Sequence, residues 1–390
     1  MIKSKNNKRS KCIVCGNPFF EKPLLVCKDM PSEAQNLPDE DDLDSDVPVT
    51  YRLCQCSGCG LMQFDCEPVS YYLDSTRAGE RCDRLIKLRQ EQYSHLIETY
   101  NLQGKKILEI GSGRGGFLRT LKEMTEYDVR GYGIEYNKEF VDYSVNVEGV
   151  NVVWGNPEDE TTVLGDAPFD AFTSFAYPAR LIDPNAMMRL AYKNLKEDGI
   201  GFIQVPSMEH LLKFGGFYDL TRDHMSYFDK NTLHFLCQRN GFNVIEQGEA
   251  ADIYITATIR KRKPTDVSRI EYDAENISKK VKEFVNNKLD QGKTLAVWCA
   301  GHFAFTVLSV TGLGKYISYI IDNAKFKQNH FSPASHVPIY GPEHFKKAPV
   351  DIILILGPLY LEELVREIRE KCSEEVEIFA LLRDDVKEIK

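Results

Sequence analysis

From Tyr71 onward, short β-rich runs alternate with helix-patterned stretches, and this alternation constrains the fold more than any other feature of the sequence. "KILEI", "VRGYGIE", "VNVVWG", "FDAFTSF", "IGFIQVP", "FNVIEQG" and "IYITATIRK" form one series, and "TLAVWCAG", "ISYIID", "VDIILILG" and "EIFALL" form a second. Strands separated by helices run mainly parallel, so each series predicts an α/β layer of βαβ units. Between them the charge rises at "IRKRKPT" and a proline intervenes; "DAENISKKVKEFVNNKLDQG" then has the pattern of a polar helix ending at Gly292. A chain of 390 residues exceeds one ordinary core. The expected organisation is an N-terminal module over 1–70, a central α/β domain over 71–263 and a second α/β domain over 264–390.

The first 70 residues are thin in hydrophobes and rich in cysteine. Cys12 and Cys15 form one Cys-x2-Cys, and "CSGCG" supplies Cys56 and Cys59 as another, with Gly16, Gly58 and Gly60 easing the turns. Two such hairpins converge four thiolates on one tetrahedron, the closed geometry of structural zinc. Cys54 is the alternative ligand, but the matched spacing favours Cys56. A closed Zn2+ site leaves no open coordination position, so catalysis is expected elsewhere. The total of eleven cysteines is odd, which fits metal ligation plus free thiols in a reducing, cytoplasmic setting better than a disulfide framework. The acidic stretch "DMPSEAQNLPDEDDLDSDVP" between the pairs is expected to be a solvated loop without chemistry.

Charge and hydropathy narrow the partners. The formal net charge is −9, which argues against binding nucleic acid or an anionic membrane surface by charge neutralisation. No apolar run approaches a membrane span, and polar residues follow the basic start where a signal peptide would be apolar. A small-molecule substrate is the expectation; the oligomeric state is not encoded in any motif.

The loop after "KILEI" carries the chemistry. "EIGSGRGG" fits the dinucleotide pattern through Gly111, Gly113 and Gly116, and equally an E-x-G-x-G-x-G pattern through Glu109, Gly111, Gly113 and Gly115. In both, glycines let the backbone approach a ligand at a helix N-terminus, with Ser112 inside the loop. Glu135, roughly twenty residues on, would accept ribose hydroxyls in both. Glu109 tips the choice: a carboxylate at the loop entrance repels a pyrophosphate but suits a cationic sulfonium and an ammonium. "WGNPED" after the third strand offers Asn156, Glu158 or Asp159 to an adenine edge. S-adenosyl-L-methionine is therefore the expected cofactor, in a class I methyltransferase Rossmann-like domain.

Taken together, the paired Cys-x2-Cys with "CGLMQ", "EIGSGRGG", "DHMSYF" and "IDNAKFKQNHFSPASHVPI" resemble the zinc-containing sugar C-methyltransferases of deoxysugar biosynthesis, over nearly the whole chain. The resemblance implies a Rossmann-like C-terminal domain that binds substrate and a nucleotide-linked keto-sugar as acceptor. It places Asp223 and His224 where the family has its acid–histidine pair, and Tyr71 or Tyr72 at the family's active-site tyrosine. His224 would remove a proton alpha to the ketone, Asp223 would orient it, and Tyr72 or Tyr227 would stabilise the enolate oxygen. An O- or N-methyltransferase and a non-catalytic scaffold are the alternatives. Asp229 is also expected to cap the helix that follows.

Three departures stand out. Relatives carry a His-Ile-Pro-type element after the fourth strand, where this chain reads "SFAYPARLIDP". A lysine-bearing loop of the last domain becomes "AGHFAF", with His302, and a Trp-Asn near the final strand becomes "GPLY". Asp322, Lys325, Lys327, Gln328 and His336 remain as polar candidates there, while Phe217 and Tyr218 could line a sugar pocket.

Overall fold

A computed structural model describes residues 8–35, 37–74, 82–357, 359–383 and 385–389. The chain divides into two compact units, Met1–Lys263 and Pro264–Lys390.

The first unit begins with the two cysteine turns. Each closes like a knuckle, with Gly16 N–H donating to Cys12 O at 3.0 Å and Gly60 N–H to Cys56 O at 3.2 Å. Strands β1 (Leu25–Met30), β2 (Val49–Gln55) and β3 (Met62–Phe64) form an antiparallel sheet. Its inner face, including Tyr51, Leu53, Met62 and Phe64, is buried against Met208, Leu220, Met225 and Tyr227 from far along the chain. The scarcity of hydrophobes in the first 70 residues is thus made good by apolar surface from later in the same unit.

Helix α1 (Asp83–Thr99) buries Arg89, Tyr93, Leu96 and Ile97 on one face. The series β4 (Lys106–Ile110), α2 (Gly116–Glu123), β5 (Arg130–Glu135), α3 (Lys138–Asn146), β6 (Asn151–Trp154), β7 (Phe169–Phe175), α4 (Pro184–Asn194) and β8 (Leu195–Pro206) follows. Then come α5 (Met208–Phe214), β9 (Ser226–Tyr227), α6 (Lys230–Arg239), β10 (Phe242–Ala250) and β11 (Tyr254–Lys261). The seven-stranded sheet has the order β6-β5-β4-β7-β8-β11-β10. Its β4, β5, β6, β7 and β8 pair in parallel, whereas β11 runs antiparallel to both neighbours because it returns from β10 as a hairpin. This is the class I methyltransferase Rossmann-like α/β fold. The strand order reverses between β4 and β7, where such sheets open a ligand crevice at their carboxyl ends.

Strand β9 belongs to the other sheet. It pairs with β3 through Met62–Tyr227 and Gln63–Ser226, and Phe64 N–H donates to Met225 O at 3.1 Å. The cysteine-bearing segment therefore fixes the strand that immediately follows Asp223 and His224. Arg222 adds a cross-tie, donating to the carbonyls of Ser32, Glu67 and Pro68 at 2.9, 2.9 and 3.1 Å. Asp229 caps α6 as expected, accepting from Thr232 N–H at 2.7 Å in a capping box.

The second unit starts with α7 (Ser268–Asp290), five residues earlier than the polar pattern suggests and ending before Gly292. It continues through β12 (Leu295–Trp298), α8 (His302–Thr311), β13 (Ile320–Ile321), β14 (Ile339–Tyr340), β15 (Ile352–Ile355), α9 (Leu361–Lys371), β16 (Glu377–Leu382) and β17 (Asp385–Ile389). The order β14-β13-β12-β15-β16 is parallel, with β17 antiparallel on the edge. Strands β12 and β15 are buried along their whole length, as expected for a sheet covered on both faces. Among the described residues, no helix is long and apolar enough to cross a membrane.

Candidate functional site

A cavity of about 540 Å³ opens at the carboxyl ends of β4 and β7, lined by the glycine loop and by segments on both sides of it. The loop is pinned to the neighbouring strand, since Gly111 N–H donates to Ile134 O at 3.0 Å. Gly111 sits at φ +75°, and a Cβ there would meet the Tyr177 ring at 2.4 Å, so only glycine fits. Gly115 has a different task. At φ +77° it caps α2, and a Cβ would meet Val150 and Ser144; the residue packs loop against helix and is absent from the cavity lining. Gly113 and Ser112 do line the cavity, and the buried Ser112 Oγ has no partner.

Glu135 closes the loop from the side. One carboxylate oxygen accepts from Gly113 N–H at 2.8 Å, and the other from Tyr136 and Asn137 N–H at 2.9 and 3.0 Å. Burial raises its carboxyl above the ordinary value, and these backbone donors pull the other way. The side chain is thus held rigidly with its face on the cavity.

Glu109 is 1% exposed, and its Oε2 has no partner. Burial pushes its carboxyl up to about 8, against the opposing pull of Arg89. The charge expected from the sequence is therefore not standing there at neutral pH; it forms when a cation arrives to share it. Arg89 is also 1% exposed and lines the same cavity. Its guanidinium lies 3.5 Å over the Phe175 ring and 4.2 Å over the Phe117 ring, and its Nε has no partner. Sequence reasoning missed this residue. Its signal was spacing: Arg89 occupies the stripe of α1 that continues through Tyr93, Leu96 and Ile97, where an apolar side chain belongs.

Tyr72, Tyr177, Arg180 and His224 also line the cavity. His224 is held by its backbone N–H to Thr221 O at 3.0 Å. Burial, reinforced by Arg180, pushes its imidazole down to about 4, and Asp223 opposes this only partly. The ring is neutral at physiological pH. Asp223 does not hydrogen-bond that ring: its carboxylate accepts from Gln35 Nε2 at 2.8 Å, Thr221 Oγ1 at 3.1 Å and Tyr71 Oη at 3.3 Å, with Arg180 at 3.9 Å. Asp223 thus influences His224 through its field, not by steering it.

The tyrosines separate into two groups. Tyr72 lines the cavity and donates to Glu158 at 3.3 Å. Tyr71 is buried outside the lining and accepts the backbone N–H groups of Ala34 and Gln35 at 2.9 and 2.8 Å. Through it, the near end of the acidic stretch reaches Asp223, a contact that its composition concealed. Tyr227 is also outside the lining; its hydroxyl accepts from Thr221 N–H at 3.0 Å and donates to Thr221 O at 3.2 Å. It braces the His224 loop and cannot supply an enolate donor from there. Asn156 is exposed, and its Oδ1 caps a turn by accepting from Glu158 N–H at 2.9 Å, so it does not reach the cavity. Tyr177, from the divergent "SFAYPARL" segment, brings a buried hydroxyl without a partner to the wall.

Away from the cavity, the Sγ atoms of Cys12, Cys15, Cys56 and Cys59 all lie within 4.8 Å of one another, a group that could hold a metal ion. The closest approaches are Cys15–Cys56 at 3.3 Å and Cys12–Cys59 at 3.6 Å. Gln63 Nε2 and Val14 N–H donate to Cys12 Sγ at 3.2 and 3.4 Å, and Gly58 and Cys59 N–H to Cys56 Sγ at 3.3 and 3.4 Å. Cys54 is outside the group, and burial pushes its thiol up to about 11. In the second unit, Asp322 accepts from Ala300 N–H at 2.8 Å, Ala324 N–H at 2.9 Å and Lys327 Nζ at 2.9 Å. Gln328 donates to Asp322 O at 2.9 Å, and Phe217 and Tyr218 are exposed, outside the lining of the cavity.

The chain is similar to known methyltransferases. Residues 84–247 match a methyltransferase domain family, and residues 258–381 match the C-methyltransferase C-terminal domain family. The C-methyltransferase NovU of Streptomyces niveus is 22% identical over 394 residues, covering 92% of each chain. Among solved structures, an S-adenosylmethionine-dependent methyltransferase from Clostridium acetobutylicum is 12% identical, covering 46% of this chain and 92% of that one, with a TM-score of 0.38. One from Aquifex aeolicus is 18% identical, covering 46% and 99%, with a TM-score of 0.36. The protein is an S-adenosylmethionine-dependent methyltransferase. Within that class, the two matched domains follow one another along the chain, and the second is similar to the C-terminal domain of C-methyltransferases.

Proposed function

We propose that the protein methylates a carbon alpha to the ketone of a sugar, carried on a nucleotide, with His224 as the base. The observation that carries this reading is that a neutral imidazole shares one cavity with Glu109 and the glycine loop. S-adenosylmethionine, when bound, would supply an electrophilic methyl group, whose bond to the cationic sulfur would break as the enolate carbon takes it, leaving neutral sulfur in S-adenosylhomocysteine. The residues fit that cofactor: the orphaned Glu109 oxygen suits its ammonium, and the braced Glu135 carboxylate suits ribose hydroxyls.

A base must be unprotonated before it acts, and the depressed pKa of His224 ensures this. The same depression makes it a weak base, so the enolate's charge must be lowered in energy as the proton moves. Arg180 and the Tyr72 hydroxyl, which line the same cavity, are the groups we assign to this. His224 takes the alpha proton, the electron pair passes to the ketone oxygen, and the proton leaves His224 for solvent after carbon–carbon bond formation.

The sulfur cluster we assign to structural zinc. The two close approaches lie near the ~3.8 Å expected of thiolates ~2.3 Å from a tetrahedral centre, and four sulfurs leave no position open. None of the eleven cysteines is in a disulfide, which suits a reducing compartment such as the cytoplasm. Substrate binding is assigned to residues 264–390 on the strength of their doubly wound sheet.

The test is proton exchange. In deuterated water without methyl donor, the enzyme should exchange the proton alpha to the ketone of a nucleotide-linked keto-sugar, and His224→Ala should abolish this. Methylation of a sugar with no exchangeable alpha position would rule the reading out in favour of oxygen or nitrogen transfer.

A further inference from the structure

Among the described residues lining the cavity, two hydroxyls are buried without a partner, those of Ser112 and Tyr177. Ser112 belongs to the glycine loop, and its Oγ packs on β5, 2.6 Å from where a Cβ on Gly133 would stand. Tyr177 comes instead from the turn after β7, and the backbone there aims it. Ala176, just before it, takes φ +58°, a left-handed conformation that is unfavourable for a residue with a Cβ and persists only where the surroundings impose it. Ala176 N–H donates to Gln204 O at 2.7 Å, and Arg180 N–H to Tyr177 O at 3.0 Å. The ring then lies on Gly111, 2.4 Å from where a Cβ would stand, so the phenol has a fixed seat.

An unpaired buried hydroxyl costs stability until a ligand completes it. This one asks for an acceptor. Burial and the nearby carboxylates of Glu135 and Glu158 push the phenol well above its ordinary value, with Arg180 opposing them, so it stays protonated and donates. Ribose hydroxyls and an ammonium are donors themselves and call for carboxylates. The reacting ketone is an acceptor, and its oxygen gains negative charge as the alpha proton leaves. Arg180 lies within electrostatic reach of both Tyr177 and His224, which ties the phenol to the surroundings of the base. Tyr72 lines the same cavity, but its hydroxyl already donates to Glu158 at 3.3 Å and meets an oxyanion only by leaving that partner. Tyr177 has no partner to leave, and a donor held ready in this way stabilises a forming charge without reorganising.

We propose that Tyr177 is a further catalytic residue, whose O–H donates a hydrogen bond to the ketone oxygen of the acceptor. This rests on the carbon-transfer reading above and adds to it a residue of the turn after β7. As His224 takes the alpha proton, the C–H electron pair forms the enolate double bond and the carbonyl π pair moves onto oxygen. Tyr177 holds that charge and keeps its own proton; the C=O bond re-forms as the carbon takes the methyl group.

Tyr177→Phe removes the hydroxyl and nothing else. The full-length protein is given 4-keto-6-deoxyhexoses linked to uridine, thymidine and guanosine diphosphates, in deuterated water without methyl donor, and exchange alpha to the ketone is followed by mass spectrometry. The sugar that the native protein exchanges should exchange on the order of 100-fold or more slowly in Tyr177→Phe, the loss of one oxyanion donor. S-adenosylhomocysteine should bind the variant as it binds the native protein in calorimetry. The melting temperature should not fall, because no partner is stranded. Exchange at the native rate would overturn the assignment. So would weaker S-adenosylhomocysteine binding, which would make the hydroxyl a cofactor contact, or a lowered melting temperature, which would make it a structural one. A native protein that exchanges none of the three sugars would remove the carbon-transfer reading and this assignment with it, whereas native exchange with an unaffected variant removes Tyr177 alone.

Discussion

The chain builds a parallel sheet twice, and the two sheets use the same backbone device for different ends. In the first unit, Glu135 at the end of β5 accepts from Gly113 N–H in the loop after β4 at 2.8 Å; in the second, Asp322 just beyond β13 accepts from Ala300 N–H after β12 at the same distance. From there they diverge. Asp322 is also satisfied by Ala324 N–H and by Lys327, and β12 ends on Trp298, with Cys299 and not an acid leading into the loop. Around the β4 loop, Glu109, Arg89 and Tyr177 each keep a buried polar atom without a partner. Buried polar groups that are left unpaired cost stability, so the first sheet holds an environment that a charged ligand completes, whereas the carboxylate at the corresponding place in the second is already paired within the fold.

The largest expected effect concerns the metal, because structural zinc binding is worth ~10–16 kcal/mol in small domains. One zinc per chain should survive dialysis. Cys56→Ser should lose it, lower the melting of the first unit and leave the second unit's transition in place. Zinc-free protein that is folded and active would contradict the assignment. Next, His224→Ala should reduce turnover on the order of 100- to 10,000-fold, the span of general base catalysis, while S-adenosylhomocysteine binds as before. Because the base works unprotonated and its pKa is held near 4, kcat/KM should show its acid limb near pH 4 and not near 6.5. A limb at 6.5 would mean that the imidazole is solvated.

The comparison itself is sharpened by paired substitutions. Glu135→Ala should weaken S-adenosylhomocysteine binding by ~1.5–3 kcal/mol, the worth of a hydrogen bond to a charged group. Asp322→Ala should leave that binding unchanged and cost stability on the order of 1–3 kcal/mol, through the donors it strands. Equal losses of binding from both would break the comparison. The smallest effect is a proton. Glu109 binds its proton more tightly when folded, so the ligand-free protein loses stability as pH rises from the unfolded value near 4.5 to about 8. Ligand binding that ionises Glu109 should release a proton at pH 7, seen as buffer-dependent binding heat and lost in Glu109→Gln.

Much of this was legible beforehand where a local pattern dictates a local structure. The alternation of β-rich and helical runs foretold both sheets, Cys-x2-Cys spacing foretold the sulfur cluster, and the glycines after β4 lie where the cavity opens. Contacts between distant segments were not legible. Gln35 reaching Asp223, β3 pairing with β9, and Tyr227 turning into its own loop depend on packing that no spacing rule encodes. Asn156 was misplaced because an Asx turn competes for the same side chain. Arg89 was hidden in a helix whose pattern looked merely amphipathic, although a cation in the apolar stripe was the clue.

Calorimetric titration of the native protein with S-adenosylhomocysteine, and separately with NAD, tests most directly what the first unit's cavity is for. Saturable one-to-one binding of S-adenosylhomocysteine, with no heat from NAD, is the predicted result. Uptake of NAD with indifference to S-adenosylhomocysteine would show that the unpaired polar groups beside the glycine loop answer to a diphosphate.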